Sequence, residues 1–366
     1  MSPRPRVGII YTRAARPTKG STVKRFLATA MAVFSLSLPL FALGGKEPAA
    51  EAAASPAPSA PSAPSALRPI AIRVGALKGP TGIGMIGLFE APPSLPDGAA
   101  ASFEAVASAD AMAAKLLSGE LDAAVLPVNM AAKLYNSGLP YRLVAVVGNG
   151  MVKVVTTDPA IRSIADLRGR DAFVAGQGAT PEYLLRTVLP KAGLDPSADL
   201  RLIFSMPYPE IAASVVAGRI DLAVLPEPFA TLALKGNPAA RVPFSLSALW
   251  TEATGQADYP MSVLVVRASL VADRPGAVAA LMDAYAASIR GALADPSAAG
   301  LLVEKHDMGL KAPIAAAAIP ACAFVFIPAA EARPAVEALL SVFLAASPAA
   351  IGSKLPDGGW YATVKR

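Results

Sequence analysis

From Pro69 onward, short β-rich apolar runs alternate with stretches of helical spacing, the pattern of a parallel α/β sheet. The runs Ile70 to Leu77, Leu121 to Leu126, Leu143 to Val147 and Val152 to Thr156 predict strands. Ala172 to Ala175, Leu202 to Phe204, Leu222 to Leu225 and Ser262 to Val266 predict four more. Helices are expected from near Gly82, over Ala111 to Ser118 and from Pro181; Ser163 reads as the cap of a short helix ended by Gly169. The tail is mostly helical in pattern, over Gly276 to Leu293, about Pro313 to Ala318 and over Ala330 to Ala346.

One segment occurs twice. Gly119-Glu-Leu-Asp122-Ala-Ala124-Val-Leu-Pro127-Val-Asn-Met-Ala131 recurs 99 residues later as Gly218-Arg-Ile-Asp221-Leu-Ala223-Val-Leu-Pro226-Glu-Pro-Phe-Ala230, with seven of thirteen positions identical. Each copy follows a helical stretch with an Ala-Ala pair (Ala113-Ala114, Ala212-Ala213) and reads as helix, Gly cap, turn Asp, strand, Pro, next helix. Pro127 and Pro226 then stand at the carboxyl ends of two strands, the edge of an open α/β sheet at which ligands bind. Two such sheets facing one another would enclose a single cleft.

The amino-terminal region changes the meaning of the charge. Arg4, Arg6, Arg13, Arg16, Lys19, Lys24 and Arg25 precede residue 45 and no acid does, so the net charge of +6 becomes −1 for the rest of the chain. That basicity is a targeting feature and gives no reason to expect nucleic acid. Phe26 to Leu43 is apolar and ends near Ala42 and Gly44, so residues 1–45 read as a secretory signal that directs the chain out of the cytoplasm. Eighteen residues would also suffice for an uncleaved membrane anchor. Residues 46–68 form an Ala/Pro/Ser linker too poor in apolar bulk to fold, which would hold a domain off a membrane. Gly44-Gly45 stand where a lipoprotein would carry its cysteine; the only cysteine, Cys322, lies in a strand-like apolar run and reads as a buried, inert thiol.

Three features together carry a family resemblance: the doubled helix–Gly-x-x-Asp–strand unit, Ile161-Arg-Ser-Ile-Ala-Asp-Leu-Arg-Gly169, and Gly176-Gln-Gly-Ala-Thr180-Pro-Glu-Tyr-Leu-Leu185. Over residues 69 to about 355 the chain resembles the type II periplasmic binding proteins, within them the nitrate/sulfonate/taurine/thiamine-precursor receptors of ABC importers. The resemblance implies two α/β lobes, each a mostly parallel sheet flanked by helices, with the ligand between them. It also implies a monomer that delivers a small-molecule solute to an ABC permease with a cytoplasmic ATPase. Members of the group take nitrate, sulfonates, pyrimidines or flavins. The Cys-rich motif of the pyrimidine-synthesising relatives is missing.

The residues themselves suggest where a solute would sit. Thr180, Pro181 and Glu182 suit the N-cap, first position and first turn of a helix. Gln177 and Gly178 before it, with Ala179, would let backbone N–H groups approach an anionic or dipolar group. Lys78, Gly79, Pro80, Thr81 and Gly82 form the counterpart loop in the first lobe. Its Gly82-x-Gly84-x-x-Gly87 matches the dinucleotide fingerprint, with Glu104 about twenty residues on. Lys78 to Thr81 nevertheless separate it from the strand, and an exported protein has no ready NAD, so a clamp using N–H groups and the Thr81 hydroxyl is preferred. After the paired prolines, Asn129 offers a donor and an acceptor, Glu227 a carboxylate and Phe229 an aromatic face. Tyr183, Tyr208 and Trp250 are further possible stacking residues, and Asn149 could reach the cleft at the crossover.

No catalytic set is apparent. His306 is the only histidine and sits at a polar helix end; there is no Ser/His/Asp set, P-loop or metal-ligand spacing, and Asp122 and Asp221 read as turn residues. No cofactor and no metal are expected. The domain plan is lobe one over 69–156, lobe two over 157–259, and a return with C-terminal helices over 260–366. The function expected is capture of a small polar solute (anionic, zwitterionic or heteroaromatic) by hinged closure. The alternatives are an enzyme on the same fold, a thiamine-pyrimidine synthase or menaquinone-pathway dehydratase, and a ligand-binding sensor domain.

Overall fold

The computed structural model describes residues 70–174 and 176–364. The expected signal over 1–45 and the linker over 46–68 lie outside the described residues. Ten strands occur among them: β1 (Ala71–Leu77), β2 (Ala100–Val106), β3 (Ala123–Pro127), β4 (Tyr141–Gly148), β5 (Val152–Thr156), β6 (Arg170–Val174), β7 (Leu200–Ile203), β8 (Leu222–Pro226), β9 (Ser262–Arg267) and β10 (Phe324–Pro328). They form a six-stranded sheet, β10-β4-β9-β3-β1-β2, and a four-stranded sheet, β5-β8-β6-β7. Helices cover both sheets, as the two-lobed α/β pattern predicts.

The strands β1, β2 and β3 are mutually parallel, as are β6, β7 and β8. The chain passes between sheets twice, through Asn149–Met151 and through Gly255–Met261, and each arriving strand, β5 or β9, runs antiparallel to its neighbour. The direction follows from geometry. A chain leaving one sheet at the carboxyl ends of its parallel strands enters the other at the same edge, and must run back from there. The first crossover therefore precedes β5, so Val152 to Thr156 belong to the second sheet and not to the first lobe as the boundary at 156 had it. Their pairing with β8 is decided by long-range register that local pattern does not carry.

The repeat seen in the sequence is a structural repeat down to single hydrogen bonds. Gly119 and Gly218 end their helices at φ 77° and 67°, a left-handed conformation that glycine adopts without penalty. The Leu121 N–H donates to the Lys115 carbonyl and, 99 residues on, the Ile220 N–H to the Ser214 carbonyl. Arg267 N–H donates to the Asp122 carbonyl (2.8 Å) as Thr157 N–H does to that of Asp221 (2.9 Å). At the other strand end Val128 N–H donates to the Met261 carbonyl (3.1 Å) and Glu227 N–H to that of Met151 (2.9 Å).

The side chains of the repeat have diverged. Asp221 is exposed, whereas Asp122 is buried, and its carboxylate accepts from the Arg73 backbone N–H (3.0 Å), from Arg73 Nε (2.8 Å) and from Arg73 Nη2 (3.0 Å). Arg267 Nη2 reaches the same carboxylate at 3.2 Å. Asp122 is thus a charge-paired anchor at the end of β3 remote from Pro127, more than the simple turn residue expected.

Two differences from the expected elements have physical causes. The run Ala100–Val106 was not predicted as a strand, because it is half-exposed at the sheet edge and mixes Ser102 and Glu104 with apolar residues. Near Gly82 the helix begins earlier and is broken, Pro80–Ile83 then Ile86–Glu90, with Pro80 fixing its first turn. Cys322 is buried and free, and burial pushes its thiol well above the usual range. The helix Pro275–Ala294, long and apolar enough to cross a bilayer, places Ala277, Val278, Leu281, Tyr285 and Ile289 in the core of the larger sheet. Another apolar cluster runs from the opposite face of that sheet into the smaller one, through Tyr183 against Phe343 (ring centroids 4.6 Å) and Trp250 against Tyr259 (5.8 Å).

Replacing Asp122 with Ala leaves Arg73 without its bidentate partner and should lower stability by about 1–3 kcal/mol at pH 7. Burial raises the carboxyl pKa, but the Arg73 hydrogen bonds and the positive charge of Arg73 and Arg267 outweigh it and hold it below the ordinary range. The contribution is thus present above the unfolded pKa, near 4, and is lost as pH falls through the folded value. Urea denaturation of wild type and variant should show the gap at pH 7 and its narrowing toward pH 3.

Candidate functional site

Pro127 and Pro226, which end β3 and β8, line one cleft. The cleft holds about 350 Å³, a usual size for a small-ligand site. Its floor is built in matched pairs. Pro127 answers Pro226, and Met130 answers Phe229 at the same repeat offset; Met261 and Met151 are the crossover residues whose carbonyls receive the Val128 and Glu227 N–H groups. The two strand ends and the two crossovers therefore meet with their backbones already paired.

Seven of the expected site residues line this cleft: Lys78, Pro80, Thr81 and Asn129 from the first lobe, Ala179, Thr180 and Phe229 from the second. Tyr208 also lines it, from the start of the helix Tyr208–Val216, with its ring stacked on that of Phe229 (5.7 Å, 21°). Burial pushes the Tyr208 phenol up to about 12, so it remains a donor at neutral pH. Lys78 Nζ is engaged with Asp307 (2.5 Å), and the Thr81 hydroxyl donates to the Leu77 carbonyl (2.7 Å) while its lone pairs stay available.

Five expected residues do not line the cleft. Gly79 and Gly82 lie beneath the loop: the Gly79 N–H donates to the Met308 carbonyl, and a side chain on Gly82 would meet Met308 Sδ at 2.7 Å. Gly82 thus serves close packing and Gly79 a left-handed backbone (φ 99°), and Gly82 and Ile83 turn their N–H groups back to the Gly79 carbonyl. Gln177 and Gly178 border a separate recess with Glu182, Tyr183 and Arg186. Glu227 is 2% exposed and points away from the cleft, its carboxylate accepting from the Thr231 N–H (3.0 Å).

The helix start at Thr180 also differs from expectation. Ala179 is the N-cap, so Thr180 and Pro181 are the first two helical residues of Thr180–Val188. Glu182 reaches back to accept from the Gly178 N–H (2.8 Å) and is held from the other side by Arg186 Nε (2.8 Å). The Glu182 and Tyr183 N–H groups turn back to the Ala179 carbonyl. Tyr183 and Trp250 are buried core residues, and Asn149, whose Oδ1 is buried without a partner, does not line the cleft.

Sequence reasoning missed Leu77, Ala109, Met130, Pro181, Met151, Met261 and Ser262 as lining residues. Met130 was legible through the repeat, as the counterpart of Phe229, and the methionines through their matching place just before β5 and β9. His306 stands elsewhere, its Nε2 2.9 Å from Glu90, which also pairs with Lys305. Among the described residues no group of three His, Cys, Asp or Glu is placed to hold a metal ion.

The NMT1-like family model matches residues 86–300. The chain belongs to the NMT1-like family. This NMT1-like chain is similar to the crystal structure of an ABC transporter from Parabacteroides distasonis, at 28% identity and TM-score 0.69 over 81% of this chain and 99% of that one. Its fold is that of the periplasmic aliphatic sulphonate binding protein SsuA from Escherichia coli (19% identity, TM-score 0.60, 78% and 92% covered). The same holds for the alkanesulfonate-binding protein SsuA from Xanthomonas axonopodis pv. citri bound to MOPS (18%, 0.55, 75% and 92%). No curated protein matches the NMT1-like chain. The resemblance to type II periplasmic binding proteins, read from the repeat and its flanking motifs, agrees with the family and with these folds.

The NMT1-like chain should tolerate loss of the Glu227 charge. Burial raises its carboxyl pKa, only partly offset by the Thr231 hydrogen bonds and by Lys153. The ionised form therefore costs stability above the folded pKa, and the cost disappears as pH falls through it. Glu227→Gln keeps an acceptor for Thr231 and should melt at or above the wild-type temperature at pH 8, with the difference closing toward pH 4.5.

Proposed function

We propose that this protein is the solute-binding subunit of an ABC importer and works outside the cytoplasmic membrane. It captures a small molecule between its lobes and presents it to the transmembrane permease, whose cytoplasmic ATPase drives uptake. The single observation that carries the reading is the meeting of Pro127 and Pro226 in one cleft, with loops of both sheets on its walls. The family, and the ABC transporter structure that matches 81% of this chain, support it. The basic, apolar amino-terminal region supports export, with the Ala/Pro/Ser linker a tether where that region stays in the membrane.

The residues proposed to touch the solute are Lys78, Pro80, Thr81 and Asn129 on one wall and Ala179, Thr180, Tyr208 and Phe229 on the other. The lobes are proposed as 70–148 with 262–364, and 152–254, joined by the two crossovers as a hinge. Closure about it would bring the walls together on the solute. The functional form is proposed to be a monomer, since one chain supplies both walls. An enzyme on this fold would need an activated base or nucleophile facing the solute. Among the described lining residues Lys78 is paired with Asp307, and no carboxylate or imidazole lines the cleft beside the Thr81, Thr180, Ser262 and Tyr208 hydroxyls to activate them, which favours binding.

Native mass spectrometry of protein purified without unfolding should show a retained small molecule in 1:1 ratio. Small-angle scattering should show the particle becoming more compact when that molecule is added back to stripped protein. A chain that never holds a solute and keeps one shape would remove the proposal.

A further inference from the structure

The chemistry of the cleft walls says more about the solute. Eleven of the seventeen lining residues are apolar, among them the thioethers of Met130, Met151 and Met261 and the ring of Phe229. Four prolines, Pro80, Pro127, Pro181 and Pro226, stand where the backbone comes to the cleft, and none of them carries an N–H. Beside the helix start at Thr180, the Gly178 N–H is taken by Glu182, and the Glu182 and Tyr183 N–H groups turn back to the Ala179 carbonyl. A small oxyanion would have to give up its water for walls with few free donors, an exchange that costs free energy. An apolar body gains from the same walls.

The polar groups are also unevenly placed. Lys78, Thr81, Asn129 and Ser262 belong to the first lobe, and among the described residues lining the cleft Lys78, which also pairs with the exposed Asp307, is the one charged side chain. The second lobe presents Pro181, Pro226 and the stacked Tyr208–Phe229 pair, with the Thr180 hydroxyl and the Tyr208 phenol as its uncharged polar groups. From this asymmetry, and resting on the solute-binding reading above, we infer that the solute is amphipathic. It has a flat, aromatic body held against Tyr208 and Phe229, and one polar end, a monoanion and not a cation, directed at the donors of Lys78 and Asn129. Thioethers suit such a body because they are polarisable and adjust to ring edges.

The test is calorimetric titration of the full chain, stripped of retained solute, with four probes: 2-naphthoate, 2-naphthylmethylammonium, taurine and nitrate. The naphthoate should bind at least about tenfold more tightly than each of the others, with a negative heat-capacity change from burial of apolar surface. Phe229→Ala, checked for an intact fold by circular dichroism, should weaken naphthoate by about tenfold or more. Tighter binding of taurine or nitrate would overturn the inference while leaving the solute-binding reading in place. Naphthoate binding unchanged in Phe229→Ala would place the ligand elsewhere and overturn it as well. If no probe binds, the assigned class is wrong. Native mass spectrometry then decides the rest: a retained solute preserves the importer reading, and an empty chain of fixed shape ends both.

Discussion

Two hydrogen bonds, from Val128 to the Met261 carbonyl and from Glu227 to the Met151 carbonyl, hold the architecture at its critical point. A parallel sheet ends at its carboxyl edge in unpaired backbone groups, which need partners wherever water is excluded. Here the strand arriving from the other lobe supplies them, running antiparallel beside β3 or β8. The cleft floor can therefore be dry and apolar without stranding polar backbone, and each proline at a strand end removes a donor that would otherwise need a partner. The crossovers join the lobes and at the same time line the site with Met151 and Met261.

The scaffold was legible because it is written in periods and repeats. Strands buried on both faces, such as Ala123–Pro127 and Leu222–Pro226, are continuous apolar runs that stand out from helices of three-to-four spacing. The 99-residue repeat carried more than either copy alone, since it implied equivalent strand ends and hence a shared cleft. Ala100–Val106 was illegible for the converse reason: an edge strand with Ser102 and Glu104 in it has no apolar signature of its own. The sheet membership of β5 was illegible because it depends on pairing with β8, some seventy residues away.

The site was half legible, and the division is instructive. Glu227 and Phe229 lie two residues apart in one loop, yet the carboxylate turns to the Thr231 N–H while the ring faces the cleft. A sequence fixes which loop arrives but not which way each side chain leaves it. Glycines misled for a related reason: at Gly82 the missing side chain makes room for Met308, a neighbour within the protein, and at Gly79 glycine serves a backbone at φ 99°, neither of them making room for a ligand. Methionine was overlooked because it usually signals core, and here it is wall.

The pairing of Lys78 with Asp307 has a kinetic corollary. Lys78, the charged side chain among the described residues lining the cleft, shares its charge with Asp307, so it sends less field into solvent than a free ammonium would. Encounter with solute is then governed mainly by diffusion and shape, with charge acting at short range. Added salt, which slows receptors that draw ligands in by charge, leaves the capture rate of this one nearly untouched.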